Sequence, residues 1–250
     1  MIERELVDGI LTLRLAHGKA SALDLELCNA LQRDFETSAE SGEVRAMVIT
    51  GTGSIFSAGV DLPRLINSGR KYVQDFVEAL DSMIRAMFLF PKPAIAAMNG
   101  HAIAGGAIIG FGCDYRLMSG GRIGVPEALV GVPFPPIALE VVRFAVPRQH
   151  LQSMLYLART VEVAEAKAMG IIDEVVGIEA LVARGQEIAR QMAEHTADGF
   201  RLTKRQLREP FLRDAAAIAS VSADEIDTLW ASPATHQRIR EYLAKTLGKR

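Results

Sequence analysis

The chain has 250 residues, of which 49% are hydrophobic, enough apolar material for one sizeable core in one or two domains. Its 28 Lys and Arg nearly cancel 30 Asp and Glu, and a net charge of −2 gives no basic face for a nucleic acid or another polyanion. The most apolar run, Ala102 to Cys113, is too short to span a bilayer and carries four glycines. Met1-Ile2-Glu3-Arg4-Glu5 has no basic flank followed by an apolar stretch, so no signal peptide is expected. Cys28 and Cys113 lie far apart without metal-ligand spacing, which fits a reducing, cytoplasmic setting and no metal.

In chain order, Ile2 to Val7 and Ile10 to Leu15 read as two strands joined by an Asp8-Gly9 turn. Helix-start chemistry at Ser21 to Asp24 precedes Leu27, Leu31 and Phe35 at helical spacing, predicting a helix to about Ser41. Ala46 to Thr50 reads as a buried strand, followed by a Gly- and Ser-rich loop from Gly51 to Gly59. Val73, Phe76, Val77, Leu80, Met83, Ile84, Met87 and Phe88 mark an amphipathic helix over 72–90, stopped by Pro91 and Pro93. Ala94 to Met98 is a second buried strand, and the small-residue segment Asn99 to Gly106 leads into a short apolar helix ending near Gly112. Tyr115 to Met118 and Arg122 to Val125 are brief strands. Beyond Pro136 the chain reads as helical, with breaks near Thr160, around Ile171 to Gly177, and at Pro210 and Pro233. The pattern predicts an α/β fold on a mainly parallel or mixed sheet with a helical C-terminal extension. No internal repeat is visible at a solenoid-like period.

Familiar catalytic signatures are missing. Gly51-Thr52-Gly53-Ser54-Ile55-Phe56 begins like a dinucleotide fingerprint but lacks its third glycine and opens no well-patterned helix. There is no Walker A lysine motif, zinc-binding His pair or nucleophile elbow. Two small-residue loops stand out instead, each following a buried strand: Phe56-Ser57-Ala58-Gly59-Val60-Asp61-Leu62 and Asn99-Gly100-His101-Ala102-Ile103-Ala104-Gly105-Gly106. Small residues let a ligand approach backbone N–H groups, and Gly105 and Gly106 sit at a helix start, where unpaired N–H groups favour negative charge. Each loop alone reads as ordinary tight packing; together they form a candidate oxyanion hole.

These loops, with Lys19-Ala20-Ser21-Ala22-Leu23, Cys113-Asp114-Tyr115-Arg116, Pro126-Glu127 and the Ala164 to Val176 run, resemble the crotonase (enoyl-CoA hydratase/isomerase) superfamily in order and spacing over nearly the whole chain. The resemblance implies a spiral of ββα units over residues 1–195 and a C-terminal helical trimerisation domain over 196–250, assembled as a trimer or a dimer of trimers. It implies an acyl-CoA thioester as substrate, with coenzyme A part of that substrate and no other cofactor. It assigns the oxyanion donors to the backbone N–H groups of Val60 and Gly105, each worth about 3–4 kcal/mol in such sites. Lys19, Ala20 and Ala22 are expected to flank the pyrophosphate and pantetheine and Ala58 and Leu62 to border the adenine, with Asp61 also counted among the CoA-binding residues. Tyr242 and Lys245 match positions that reach the nucleotide, in this or a neighbouring subunit. Lys245 equally suits a solvated basic tail.

Hydratases of the superfamily carry two acidic residues. Here the first position is the apolar Ile108 and the second is Glu127. Activating water and delivering a proton favours two carboxylates, whereas moving one proton from C2 to C4 needs a single base. The expectation is therefore a Δ3 to Δ2 enoyl-CoA isomerase with Glu127 as base, whose pKa an apolar Ile108 wall raises while excluding water. The stretches Cys113 to Leu117 and Val132-Pro133-Phe134-Pro135 also resemble the mitochondrial-type isomerase. Hydration and other acyl-CoA enolate chemistry remain alternatives, as does a non-catalytic CoA- or RNA-binding scaffold. Glu127 as a helix cap, Glu140 as a fallback acid, His101 as a packed histidine, and Asp61 and Asp114 as partners of loop N–H groups or of Arg116 are the competing roles.

Overall fold

The computed structural model describes residues 1–247. Asp8 and Gly9 both take positive φ, 51° and 79°, the backbone of a tight hairpin turn, and so pair β1 (Ile2–Val7) antiparallel with β2 (Ile10–Leu15). The Asp24 carboxylate accepts the Leu27 N–H at 2.8 Å and starts α1 (Leu25–Glu40), which buries Leu27, Leu31 and Phe35.

Three windings of strand, strand and helix follow. The first is β3 (Ala46–Thr50) and β4 (Ile55–Ser57), then α2 (Leu62–Asn67) and α3 (Arg70–Phe88). The second is β5 (Ala94–Met98), β6 (His101–Ile103) and α4 (Gly105–Gly112). The third is β7 (Tyr115–Met118), β8 (Arg122–Gly124) and α5 (Glu127–Val130). Each winding lays its first strand beside the previous one in a six-stranded sheet of order β1-β2-β3-β5-β7-β10, and its second in a four-stranded sheet of order β4-β6-β8-β9. The repeat is thus structural, although no sequence period betrays it. β4 and β6 lie inside segments read from sequence as loops, and α2 went unread beside them.

The rest comprises α6 (Pro136–Ala145), α7 (Arg148–Tyr156), β9 (Thr160–Glu162), α8 (Val163–Ala168), β10 (Glu174–Val175), α9 (Leu181–Ala193), α10 (Ala197–Trp230) and α11 (Pro233–Leu247). Alternate residues of β3 serve two cores. Met47 and Ile49 join the main core with α1 and α3, while Ala46 and Val48 meet Leu181 and Ile188 of α9 on the opposite face. With both faces covered, the strand is apolar throughout. Pro210 does not break the chain as the sequence suggests: α10 runs through it. The residue whose carbonyl loses a partner there, Gln206, is exposed to water, and Arg208 and Ala215 are buried on either side, so packing holds the helix together.

α10 is pinned to the core by charge. Asp114 accepts from Lys204 and Arg208, both at 2.7 Å, and from the Ala94 N–H at 2.8 Å. The expected partner Arg116 pairs with Asp173 instead, Nε to Oδ2 at 2.9 Å. No helix among the described residues is long and apolar enough to cross a membrane.

Candidate active site

The two small-residue loops meet at Gly59 and Gly105. Gly59 has φ 79°, and a Cβ added there would lie 2.7 Å from the Ile103 carbonyl oxygen and 2.8 Å from the Ala104 Cβ. Glycine alone supplies both the left-handed backbone and that approach. The segment 20–23 buttresses the first loop: Ala58 N–H donates to Ala20 O at 3.0 Å, Leu23 N–H to Gly59 O at 2.7 Å, and Asp61 N–H to Leu23 O at 2.9 Å. These bonds flank Val60, whose own N–H meets no protein acceptor among the described residues.

In the second loop Ala104 sits at φ 52°, ψ −124°. A non-glycine residue held there costs of order 1–3 kcal/mol. Its N–H donates to Gly124 O at 2.8 Å, which helps to hold that geometry. The next amide, Gly105 N–H, opens α4 and likewise finds no protein acceptor among the described residues, as first-turn helix amides do not within their own helix.

Val60 and Gly105 line a single cavity. Ala58, Leu62, Ile108, Glu127 and Tyr242 line it too, so seven of the sequence-predicted residues converge. Tyr242 does so from α11 of this same chain. Glu127 opens α5 and is 8% exposed, and its Oε2 has no partner among the described residues. Desolvation lifts its carboxyl from the usual 4.5 to about 8, opposed by its own backbone N–H. Ile108, 3% exposed, adds an apolar wall.

The remaining sequence candidates lie off the cavity lining. Lys19 is exposed in the turn between β2 and α1, and Ala20 and Ala22 are half-buried in the buttressing segment. Asp61 caps α2, its carboxylate accepting the Arg64 N–H at 3.0 Å. Lys245 is exposed on α11. Glu140 is fully buried on α6 and bonded to Arg143; burial raises its pKa against that pairing, and it is absent from the cavity wall. His101 is packed, its Nδ1 accepting the Arg122 N–H at 3.2 Å. Sequence reasoning did not single out Trp230, Leu80 and Ala138, which also line the cavity. Leu80 had shown only as part of a core-facing stripe, and the one available signal for Trp230 was that the chain has a single tryptophan.

Two free amides and one protonatable carboxylate in an apolar cavity can stabilise an enolate oxygen and move a proton beside it. Comparison with known proteins agrees. The profile of the enoyl-CoA hydratase/isomerase family matches residues 5–245. A putative enoyl-CoA hydratase of Thermus thermophilus is 33% identical over 181 residues, 71% of each chain. The human mitochondrial delta3-delta2-enoyl-CoA isomerase shares the fold, with a TM-score of 0.91 at 20% identity over 100% of this chain and 98% of its own. The apo Mtb enoyl-CoA isomerase has a TM-score of 0.79 at 30% identity, covering 92% and 98% of the two chains. With the profile spanning both loops, Glu127 and the C-terminal helices, the chain is an enzyme of the enoyl-CoA hydratase/isomerase family, within the crotonase superfamily.

Proposed function

We propose that the protein converts 3-enoyl-CoA to 2-enoyl-CoA thioesters. The observation that carries this is that Glu127 is the one carboxylate lining the cavity among the described residues, with the buried, apolar Ile108 where a second acid would serve hydration. Glu127 removes a proton from C2. The negative charge spreads to the thioester oxygen, held by the Val60 and Gly105 N–H groups, and the same proton returns at C4 as the double bond moves. No water and no cofactor enter this balance; coenzyme A is part of the substrate. Ala58 and Leu62 stand at the exposed side of the cavity, with Lys19 and Lys245 as surface cations for the nucleotide phosphates. Self-association through α10, which exposes Leu202, Leu207 and Val221, belongs to the same proposal, and sedimentation tests it.

The direct test follows 3-enoyl-CoA and 2-enoyl-CoA separately by chromatography in wild type and Glu127→Gln. Wild type should form the 2-enoyl thioester with little 3-hydroxyacyl product, and Glu127→Gln should lose that activity. Efficient hydration by wild type, or an active Glu127→Gln, would overturn the single-base mechanism.

A further inference from the structure

We infer that Trp230 sets the far end of the acyl site, and that the groove between α3 and α10 behind it receives the tail of a longer chain once the indole is removed. The inference rests on the cavity being the acyl site.

Exposure gives the cavity a direction. Ala58 is exposed and Leu62 and Tyr242 are half-buried at one side. At the other, Leu80, Ala138 and Trp230 are 3%, 0% and 2% exposed. The indole is fixed at two points: its Nε1 donates to Pro133 O at 3.0 Å, and its ring packs against Phe76 with centroids 6.3 Å apart. Phe76 and Leu80 are successive turns of α3, so helix and indole close the space together.

Next to this wall lies a second, open groove, half of it lined by apolar residues including Val77, Pro135, Ala223 and Ile226 and half by polar or charged ones including Glu78, Asp81, Arg85 and Asp227. Pro135 belongs to both cavities, and Ile226 lies one helical turn before Trp230 on α10. The two spaces are therefore neighbours that meet at Pro135, with Leu80 and the Trp230 indole on the wall of the first. An acyl chain entering past Val60 and Gly105 gains apolar burial with each added methylene until it meets that ring. Further carbons then find no space.

Saturated acyl-CoA thioesters, which carry no double bond to move, test this by calorimetry without using the proton chemistry. In wild type the affinity should rise by about fourfold per added methylene, the value of one buried CH2, and then stop rising at one chain length. Trp230→Leu should move that plateau to longer chains, and adding Ala223→Trp, which fills the groove, should move it back. Trp230→Phe keeps a ring against Phe76 and gives the same displacement in smaller measure should the leucine variant fail to fold. A folded Trp230 variant with an unmoved plateau, no plateau in wild type, or indifference to Ala223→Trp would each overturn the inference. An active Glu127→Gln would end the isomerase mechanism and leave this ladder of affinities intact. A wild-type affinity independent of chain length would remove the acyl site itself.

Discussion

Gly59 and Gly105 stand so close that a methyl group on Gly59 would come within 3.1 Å of the Gly105 nitrogen. The two candidate oxyanion donors are thus set by one contact between loops from different windings. Gly59→Ala must push them apart and also holds alanine at φ 79°. Losing one well-placed donor costs about 100- to 1,000-fold in kcat. The expected result is a fall of that size in enoyl-CoA turnover, with free coenzyme A binding little changed because it has no thioester oxygen. Unchanged turnover would show that these amides do not meet the substrate.

Glu127 gives a pH dependence of both rate and stability. As a base it must be ionised, so kcat/KM should rise with pH and level off above about 8. In the unfolded chain the same group releases its proton near 4.5. Between those values the folded state binds the extra proton, so its contribution to stability is lost as pH rises, by about 1.4 kcal/mol per unit. Glu127→Gln lacks this slope. Its stability relative to wild type should be lowest below the window and highest above it, which urea unfolding at both ends will measure. Parallel curves for the two proteins would mean that the carboxylate reaches water.

Ile108→Glu tests the division between isomerisation and hydration. A second carboxylate in the cavity supplies the missing acid-base partner, so 3-hydroxyacyl product from 2-enoyl-CoA should increase by at least about tenfold. Ile108→Gln, similar in size but without a carboxyl, should stay at the wild-type background. Equal hydration by the two variants would assign the gain to wetting of the cavity.

Asp114→Ala removes the acceptor shared by two buried cations. Lys204 and Arg208 are 7% and 2% exposed, and such charges left unpaired cost about 3–5 kcal/mol. Denaturant unfolding should show a loss of that order. A loss below about 1 kcal/mol would mean that both cations find water, as surface pairs do.

Much of the frame was legible because its signals are local. The ends of β1, β2, β3, β5 and β7 follow from apolar runs bounded by turn residues, and the start of α1 from Asp24. β4, β6 and β8 are only three residues each, and β4 and β6 form through pairing with distant segments, such as Ile55 with His101, which no local pattern records. Likewise Glu127, Val60 and Gly105 came from motif resemblance, and the structure gathers them around one cavity. The Ala104 backbone was invisible because alanine ordinarily avoids that conformation. Trp230 was overlooked because it lies over a hundred residues from Glu127, joined only by the folding back of α10. Pro210 misled because propensity was weighed without the packing that surrounds it.

The anchoring of α10 also orders events during synthesis. Asp114 leaves the ribosome 90 residues ahead of Lys204 and 94 ahead of Arg208. Until those cations arrive its carboxylate has only the Ala94 N–H and water as partners, and the cavity still lacks Trp230 and Tyr242. The nascent chain can wind its three ββα turns early, yet it holds an open, wet half-site that closes only when the C-terminal helices fold back.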